Sequence, residues 1–319
     1  MKSEVYNQSN CIVGAVAYQY YIEGKSRAEI AKEFRLSYST LSRLLKRARE
    51  EKIVQFSISE PYLSCHFQEV SIQKKYDLKY VVVVPTSGED TPIIVKKRVA
   101  MEGARYLQRV ISDGDILGFT WGGTMYHLIQ YLNPCRKVNA RFVTMHGNIE
   151  KCNKNFEVEA LVHRAAMAFG GKNISIRDNG LLSSNEELKK HVALPEMYAI
   201  RKLLQNITIA VSGIGSLYPV FDSPLATTNY LDEEGKKLLK KEEAYADIVL
   251  RFIDKNGKEC NTPYKDKTLA ISLEEYRRIP HKILVASGVQ KSAALKAALK
   301  GRLADALIID DNLAKKILE

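Results

Sequence analysis

The chain has 319 residues, which is long for one ordinary domain and comfortable for two. Its 45% hydrophobic and 27% charged residues, with no run near the roughly 18 apolar residues of a membrane span, exclude disordered, fibrous and membrane-spanning classes. A net charge of +11 and an N-terminus without an apolar signal stretch predict a cytoplasmic protein with a polyanionic partner and no membrane partner.

Three short helices are the first predicted elements. Apolar residues recur at helical spacing over residues 12–20 and stop at Gly24, which suits a helix with a left-handed cap. Ser26 opens a second helix, because Glu29 at the third helical position completes a capping box. After a short break, Ser37 caps a third helix. Two short helices and a tight turn in this register predict a helix-turn-helix.

The third helix carries much of the basic charge. Residues 25–52 contain nine Lys or Arg and four Glu, a net charge of +5. In a helix-turn-helix, outward side chains of the second helix reach base edges, and flanking cations hold phosphates. The candidate base readers are Tyr38, Ser39, Thr40 and Arg43, and the candidate phosphate contacts are Lys46, Arg47 and Arg49. A solvated helix face or a bundle that never touches DNA is the alternative, which the charge on this one helix disfavours.

A linker separates this module from the rest of the chain. Residues 54–58 alternate in polarity and predict a short strand, and Glu-Pro-Tyr at 60–62 is typical of a linker. We therefore predict a DNA-binding domain at residues 1–58 and a larger domain at 59–319.

The larger domain alternates short apolar runs with amphipathic stretches. Predicted strands lie at residues 81–84, 116–119, 142–145, 207–211, 248–252, 283–286 and 306–309, and predicted helices at 97–111, 124–132, 158–169, 292–299 and 313–318. This alternation predicts the α/β class, with a mainly parallel, Rossmann-like sheet covered on both faces.

A glycine-containing turn follows the second of these strands. Residues 113–124 combine an apolar strand, Gly122 and Gly123, and the start of a helix. Glycines allow close backbone approach, and the N–H groups and positive dipole at a helix start favour an anion such as phosphate. The alternative is a tight connection that binds nothing.

Three more strand ends are expected at the same edge of the sheet, where ligands bind in open parallel sheets. They are residues 145–148, residues 212–215, and Ser-Gly at 287–288 with Lys291 on the next turn. Residues 212–218 lack the third glycine of a dinucleotide fingerprint, so no nicotinamide cofactor is expected.

These motifs resemble the SorC family of bacterial sugar-responsive regulators, and the likeness runs along the whole chain. Residues 28–45 look like the DNA-binding helices of that family. The segments that match its effector domain are Gly-Phe-Thr-Trp-Gly-Gly-Thr-Met at 118–125, residues 247–257, and Ala-Ser-Gly-Val-Gln-Lys at 286–291 followed by Leu-Lys-Gly-Arg-Leu at 299–303.

The resemblance implies an effector domain similar in fold to sugar-phosphate isomerases, and a tetramer whose hold on an operator responds to a phosphorylated sugar. By position, Gly122, Gly123, Thr124 and Lys291 would hold the phosphate, and Asp247 would accept hydrogen bonds from sugar hydroxyls. Lys291 as an exposed helix residue and Asp247 as a cap are the alternatives. The predicted effector-binding set is Thr120, Gly122, Gly123, Thr124, His146, Gly213, Asp247 and Lys291.

His146 departs from the pattern of the deoxyribonucleoside-responsive members, which residues 113–125 also resemble. Those members carry a lysine at this position that forms an imine with an aldehyde effector. Imidazole forms no stable imine, so a different pentose or hexose phosphate is expected. A hydrogen-bonded wall residue is the simpler interpretation of His146.

An enzyme is the rival function, because the inferred fold also supports sugar-phosphate isomerases and deaminases. Asp222, Asp247 and His146 are the candidate acid–base groups. The DNA-binding module favours a regulator, in which no residue is catalytic. A constitutive architectural DNA binder is a third possibility, but it would not need the predicted pocket. We expect double-stranded operator DNA, a phosphorylated sugar and further copies of the chain, as a dimer or tetramer, to be the partners.

No metal site is expected. The five cysteines are scattered without a Cys-x-x-Cys pair, and the six histidines show no His-x-x-x-His spacing. The predicted ligands are therefore DNA and the sugar phosphate, with no cofactor.

Overall fold

The computed structural model describes residues 9–150, 152–227 and 230–319. The chain separates into two units, Met1–Glu60 and Pro61–Glu319, whereas the sequence predicted a boundary between residues 58 and 59. No helix in the described parts is long and apolar enough to cross a membrane.

In the first unit, residues 9–60 form three helices, α1 (Asn10–Tyr21), α2 (Arg27–Glu33) and α3 (Tyr38–Glu50). The predicted capping box is present, because the Ser26 hydroxyl accepts from the Glu29 N–H at 3.3 Å and the Glu29 carboxylate accepts from the Ser26 N–H at 2.8 Å. The side chains shared by the three helices form one core, which includes Val13, Val16, Ile30, Leu41, Leu44, Leu45 and Ala48.

Residues 54–58 do not form the predicted strand. They lie in irregular backbone, since residues 9–60 contain no strand with which they could pair. The Val54 N–H instead donates to the Ala48 carbonyl at 2.9 Å and closes the end of α3. The alternating polarity of residues 54–58 therefore belongs to the irregular segment that follows α3 and not to a strand.

The second unit begins with α4 (Tyr62–Tyr76) and is built on a seven-stranded parallel sheet in the order β1-β10-β9-β5-β2-β3-β4. The strands are β1 (Tyr80–Val84), β2 (Ile116–Phe119), β3 (Arg141–Thr144), β4 (Lys172–Ile174), β5 (Ile209–Ser212), β9 (His281–Val285) and β10 (Ala306–Asp310). The predicted α/β fold with a mainly parallel sheet is confirmed.

Helices cover both faces of this sheet. They are α5 (Pro92–Val110), α6 (Gly123–Gln130), α7 (Val158–Phe169), α8 (Asn185–Val192), α9 (Pro195–Leu204), α10 (Glu233–Lys241), α11 (Leu273–Arg278), α12 (Ser292–Lys300) and α13 (Asp311–Leu318). One core packs α4, α9, α12 and α13 against the sheet, and a second core packs α5, α6, α7 and α10. This doubly covered sheet leaves the strand ends as the place where loops meet.

The predicted strand at residues 248–252 is wrong. The segment forms a tight hairpin of β7 (Ala246–Ile248) and β8 (Arg251–Ile253), which pair antiparallel and join β6 (Gly215–Ser216) in a separate three-stranded sheet. Val249 and Leu250 make the turn with φ of +49° and +61°. The apolar run is continuous because both strands and their turn are buried.

The Arg251 side chain holds this hairpin in place. It is 8% exposed, and its guanidinium donates to the Ile271, Lys265, Thr268 and Ala270 carbonyls at 2.9 to 3.3 Å. It also lies 3.4 Å from the Glu259 carboxylate. The guanidinium thus supplies hydrogen-bond donors to backbone carbonyls of residues 265–271, which form no regular sheet or helix there.

We expect Arg251→Met to lower the free energy of unfolding of the second unit by about 3–5 kcal/mol, because several buried acceptors would lose their donor. The control is Arg278→Met, which removes an exposed ion pair with Glu274 and should change the value by less than about 0.5 kcal/mol. Urea unfolding followed by circular dichroism measures both. Equal midpoints for the two variants would contradict the role of Arg251.

Candidate functional site

The outer face of α3 is exposed and basic. Tyr38, Ser39, Arg43 and Lys46 lie on it, and Tyr38 is 58% exposed. The Lys46 ammonium lies 3.5 Å from the Glu50 carboxylate on the same exposed face, a pair that water screens. These four predicted side chains are therefore accessible to a large partner.

Thr40 and Arg47 do not share this free exposure. Thr40 is 6% exposed and its hydroxyl lies 2.8 Å from that of Ser37, so the side chain lies at the cap of α3 and its role as a base reader stays a prediction. The Arg47 side chain is 17% exposed and its guanidinium donates to the Glu51 carboxylate and the Asn10 amide oxygen, each at 2.7 Å. Arg47 therefore ties α3 to the start of α1.

The second unit has a small cavity at the carboxyl ends of its central strands, which we call the strand-end cavity. Its volume is about 50 Å³. The lining residues are Thr120, Trp121, Gly122, Gly123, Thr124, Gly213, Ile214, Gly215, Pro224, Asp247, Ile248, Val249 and Lys291. Seven of the eight side chains and glycines predicted to bind effector thus meet here, and His146 does not.

The turn between β2 and α6 forms one wall. Gly122 has φ +111°, a conformation that side chains rarely adopt, and it precedes the first turn of α6. The N–H groups of a first helical turn have no partner within the helix, so they are available to an anion. The Thr120 hydroxyl accepts from the Gly213 N–H at 3.4 Å and joins this turn to the one after β5.

Lys291 lies in the cavity and is not the exposed helix residue of the alternative interpretation. It ends a short 3-10 helix after β9, is 8% exposed, and donates to the Ile214 carbonyl at 2.7 Å. Burial lowers the pKa of its ammonium; the Asp222 and Asp247 carboxylates oppose that shift, and Lys96 adds to it. The ammonium is held by one carbonyl and faces the other cavity walls.

Asp247 enters from the second sheet, on β7. It is 6% exposed, and its Oδ1 atom has no hydrogen-bond partner among the described residues. Burial raises the pKa of this carboxyl, while a hydrogen bond from Ser223 and the Lys291 charge oppose the shift. A buried carboxylate oxygen without a donor is costly, so a hydroxyl donor from a ligand would stabilise it.

Sequence reasoning missed Gly215, which is needed beside this carboxylate. A Cβ atom there would lie 1.9 Å from Asp247 Oδ1 and 2.8 Å from the Ser223 hydroxyl. The Ser-Gly-Ile-Gly motif at 212–215 carried the signal, but only Gly213 was chosen. Trp121 and Ser223 were missed as well, because each depends on a tertiary contact.

His146 is fully buried and lies outside the cavity lining, so its role in effector binding stays a prediction. Its Nε2 atom accepts from the Trp121 N–H at 3.1 Å, which leaves the proton on Nδ1 to donate to the Gly147 carbonyl at 2.7 Å. Burial lowers the pKa of the ring to about 4. A neutral imidazole therefore fixes the backbone of Trp121.

The chain matches known proteins over almost all of its length. The Sugar-bind family of sugar-binding domains matches residues 60–319, and a helix-turn-helix domain family matches residues 16–55. The deoxyribonucleoside regulator of Bacillus subtilis (strain 168) is 29% identical over 304 residues, 94% of each protein. The sorbitol operon regulator of Klebsiella pneumoniae is 28% identical over 97% of this chain and 98% of its own length. The crystal structure of the full-length sorbitol operon regulator SorC from Klebsiella pneumoniae has a TM-score of 0.75 at 26% identity, covering 98% of this chain and 100% of that one.

His146 should make the second unit less stable in mild acid. Its pKa of about 4 lies below the ordinary value of 6.5, so below pH 6.5 the unfolded chain takes up a proton that the folded chain does not. The neutral ring therefore contributes fully to the free energy of unfolding above pH 6.5, and this contribution is lost as the pH falls towards 4. From pH 7 to pH 5 we expect it to decrease by about 2 kcal/mol.

Urea unfolding of the wild type and His146→Gln at pH 7 and pH 5 measures this loss, since all other titrating groups are shared. His66→Gln removes an exposed histidine and should keep the wild-type profile. Parallel pH profiles for wild type and His146→Gln would contradict a buried, neutral ring.

Proposed function

Because the chain belongs to the SorC family of sugar-binding transcriptional regulators, we propose that it controls a carbohydrate or nucleoside catabolic operon in response to a phosphorylated sugar. The strand-end cavity carries the proposal. It combines a buried ammonium, the start of a helix and a buried carboxylate oxygen without a donor. An anion and a hydroxyl group on one small molecule would satisfy all three.

The phosphate is proposed to lie between Lys291 and the backbone N–H groups at the start of α6. Gly122 and Gly123 leave room for it, because neither carries a side chain. The sugar hydroxyls would then donate to Asp247 on the opposite wall. Asp247 is the only one of these groups that belongs to the smaller sheet, so the ligand would bridge the two sheets.

Binding must widen the cavity. Its volume of about 50 Å³ is far below the roughly 300–1,000 Å³ of ordinary ligand pockets. Entry of a sugar phosphate would separate Lys291 from the Ile214 carbonyl and shift the turns around it. Ligand binding would therefore favour a conformation with a wider cavity, as a sensor requires.

The exposed face of α3 is proposed to enter the major groove of operator DNA. Tyr38, Ser39 and Arg43 would contact base edges, and Lys46 and Arg49 would contact phosphates. One module of this size offers few contacts, so a dimer or tetramer that reads two half-sites is part of the proposal.

An isomerase or deaminase is the less favoured candidate. Such an enzyme needs an acid–base group within reach of the sugar carbon. His146 is buried with both ring nitrogens bonded, so it cannot serve, and Asp247 would remain as the acid–base group in the cavity lining. We propose that the chain binds the sugar phosphate without converting it.

We expect Arg43→Ala to weaken operator binding by about 1–3 kcal/mol and to relax sequence preference, because a bidentate arginine contact to a base discriminates by that amount. Lys46→Ala is the contrast and should weaken binding to all DNA alike. Fluorescence anisotropy with a fragment that the wild type selects from a randomised pool measures both. An Arg43 variant that selects the same fragment with wild-type affinity removes Arg43 from the base readers.

We expect Lys291→Met to lower affinity for the sugar phosphate about ten-fold or more, because a hydrogen bond to a charged group contributes about 1.5–3 kcal/mol. Calorimetry over a panel of pentose and hexose phosphates identifies the ligand first. Lys300→Met, at the exposed end of α12, is the matched control and should bind as the wild type does.

DNA binding without ligand should be unchanged in Lys291→Met, and the operator response should need more ligand, since the two affinities are linked reciprocally. Wild-type affinity for the sugar phosphate would place Lys291 outside the binding site. Loss of DNA binding without ligand would give Lys291 a role in folding or assembly instead.

A further inference from the structure

A second and larger cavity lies beside α10, and we call it the α10 groove. Its volume is about 590 Å³, within the roughly 300–1,000 Å³ of ordinary ligand pockets. Residues 217–221, which follow β6, form one wall, and α10 with the chain that follows it forms the other. None of its lining residues lines the strand-end cavity.

Two aromatic rings, one from each wall, lie in the α10 groove. The Tyr218 and Tyr245 rings lie 4.6 Å apart between centroids with an angle of 37° between their planes. Tyr218 is 51% exposed, so part of its ring remains uncovered by its own chain. Leu217 and Phe221 extend the apolar surface. A flat aromatic ligand could stack on these rings.

Lysines of α10 also line the groove. Lys236, Lys237 and Lys240 of α10 line the groove, and Lys236 pairs with Glu233 at 2.6 Å. Within the described residues, Lys237 and Lys240 make no ion pair with a carboxylate. Two ammonium groups without an anionic partner in this part of the chain therefore line the same groove as the aromatic rings.

We propose that the α10 groove binds a nucleoside phosphate. The base would stack on Tyr218 and Tyr245, and the phosphate would lie between Lys237 and Lys240, since an ammonium is a compact donor for phosphate oxygens. Glu243 lines the same groove and offers an acceptor for ribose hydroxyls. A sugar phosphate has no aromatic base, so it would lose the base stacking that a nucleotide gains in the groove.

The wall formed by residues 217–221 also connects the groove to the strand-end cavity. On either side of this wall, the Ser216 hydroxyl donates to the Gln290 carbonyl at 3.2 Å and the Gln290 amide donates to the Asp222 carboxylate at 2.9 Å. Gln290 directly precedes Lys291. A nucleotide that moves this wall would therefore move the cation of the strand-end cavity.

Calorimetry with adenosine, guanosine and uridine 5′-monophosphates tests the groove on the full chain. At least one should bind, and the matching nucleoside and inorganic phosphate should each bind about ten-fold more weakly, because each lacks half of the contacts. Failure of all three nucleotides to bind at millimolar concentration would overturn the proposal.

Charge reversal locates the bound nucleotide. Lys240→Glu should lower its affinity about ten-fold. Lys241→Glu, the same change on the neighbouring residue outside the groove lining, should leave it within about two-fold. Lys291→Met should leave nucleotide binding intact, which separates this proposal from the function proposed above. Nucleotide binding that survives Lys240→Glu or is lost in Lys291→Met would assign the ligand elsewhere.

The connection is tested by titrating the sugar phosphate with and without saturating nucleotide. A coupled pair of sites should change the affinity about five-fold or more. An unchanged affinity would overturn the connection between the groove and the strand-end cavity.

Discussion

Parallel pairing of β9, β5, β2 and β3 brings the turns after these strands to one edge of the sheet. Their registers run from Ser212 opposite Leu284 to Phe119 opposite both Val211 and Thr144, so the turns begin at nearly the same level. Because the turns are short, they must lie at this edge. The start of α6 after β2 and Lys291 after β9 therefore line the same cavity. The chemistry of the cavity follows from the direction of hydrogen bonding in the sheet.

The position of Asp247, the carboxylate of the cavity, depends on a different constraint. Asp247 lies on a hairpin outside the main sheet, and this hairpin is held by the buried guanidinium of Arg251. Desolvation opposes the charges of both Asp247 and Lys291, and each relieves part of the cost for the other. An anionic, hydroxyl-bearing ligand would give both groups a further partner.

Most of the architecture could be predicted from the sequence, because strand and helix periods alternate clearly. The strand Ile116–Phe119 and the helix Val158–Phe169 were placed at their observed bounds. The β7–β8 hairpin could not be found, because a buried hairpin and a buried strand share one apolar run, and Val249 and Leu250 are poor markers of a left-handed turn. Helices α4 and α8 to α11 were not predicted from the sequence.

Seven of the predicted effector-binding residues could be placed together because each follows a strand or matches a motif at a known position. His146 also follows a strand, but its ring turns back under the chain and bonds to the backbone of Trp121. Thr40 follows the cap of α3, where one position separates exposed from buried. The direction in which the side chain points from its helix or turn decides the outcome for His146 and Thr40, and the local sequence pattern does not show that direction.

Trp121 is the single tryptophan in the 319-residue sequence, and it lines the strand-end cavity at 9% exposure. Indole emission shifts with the polarity of its surroundings, and here no second indole contributes a background signal. The chain therefore carries an optical probe at the wall where the sugar phosphate is proposed to enter. Quenching and emission wavelength would report changes in that cavity without a label and without a substitution in the DNA-binding unit.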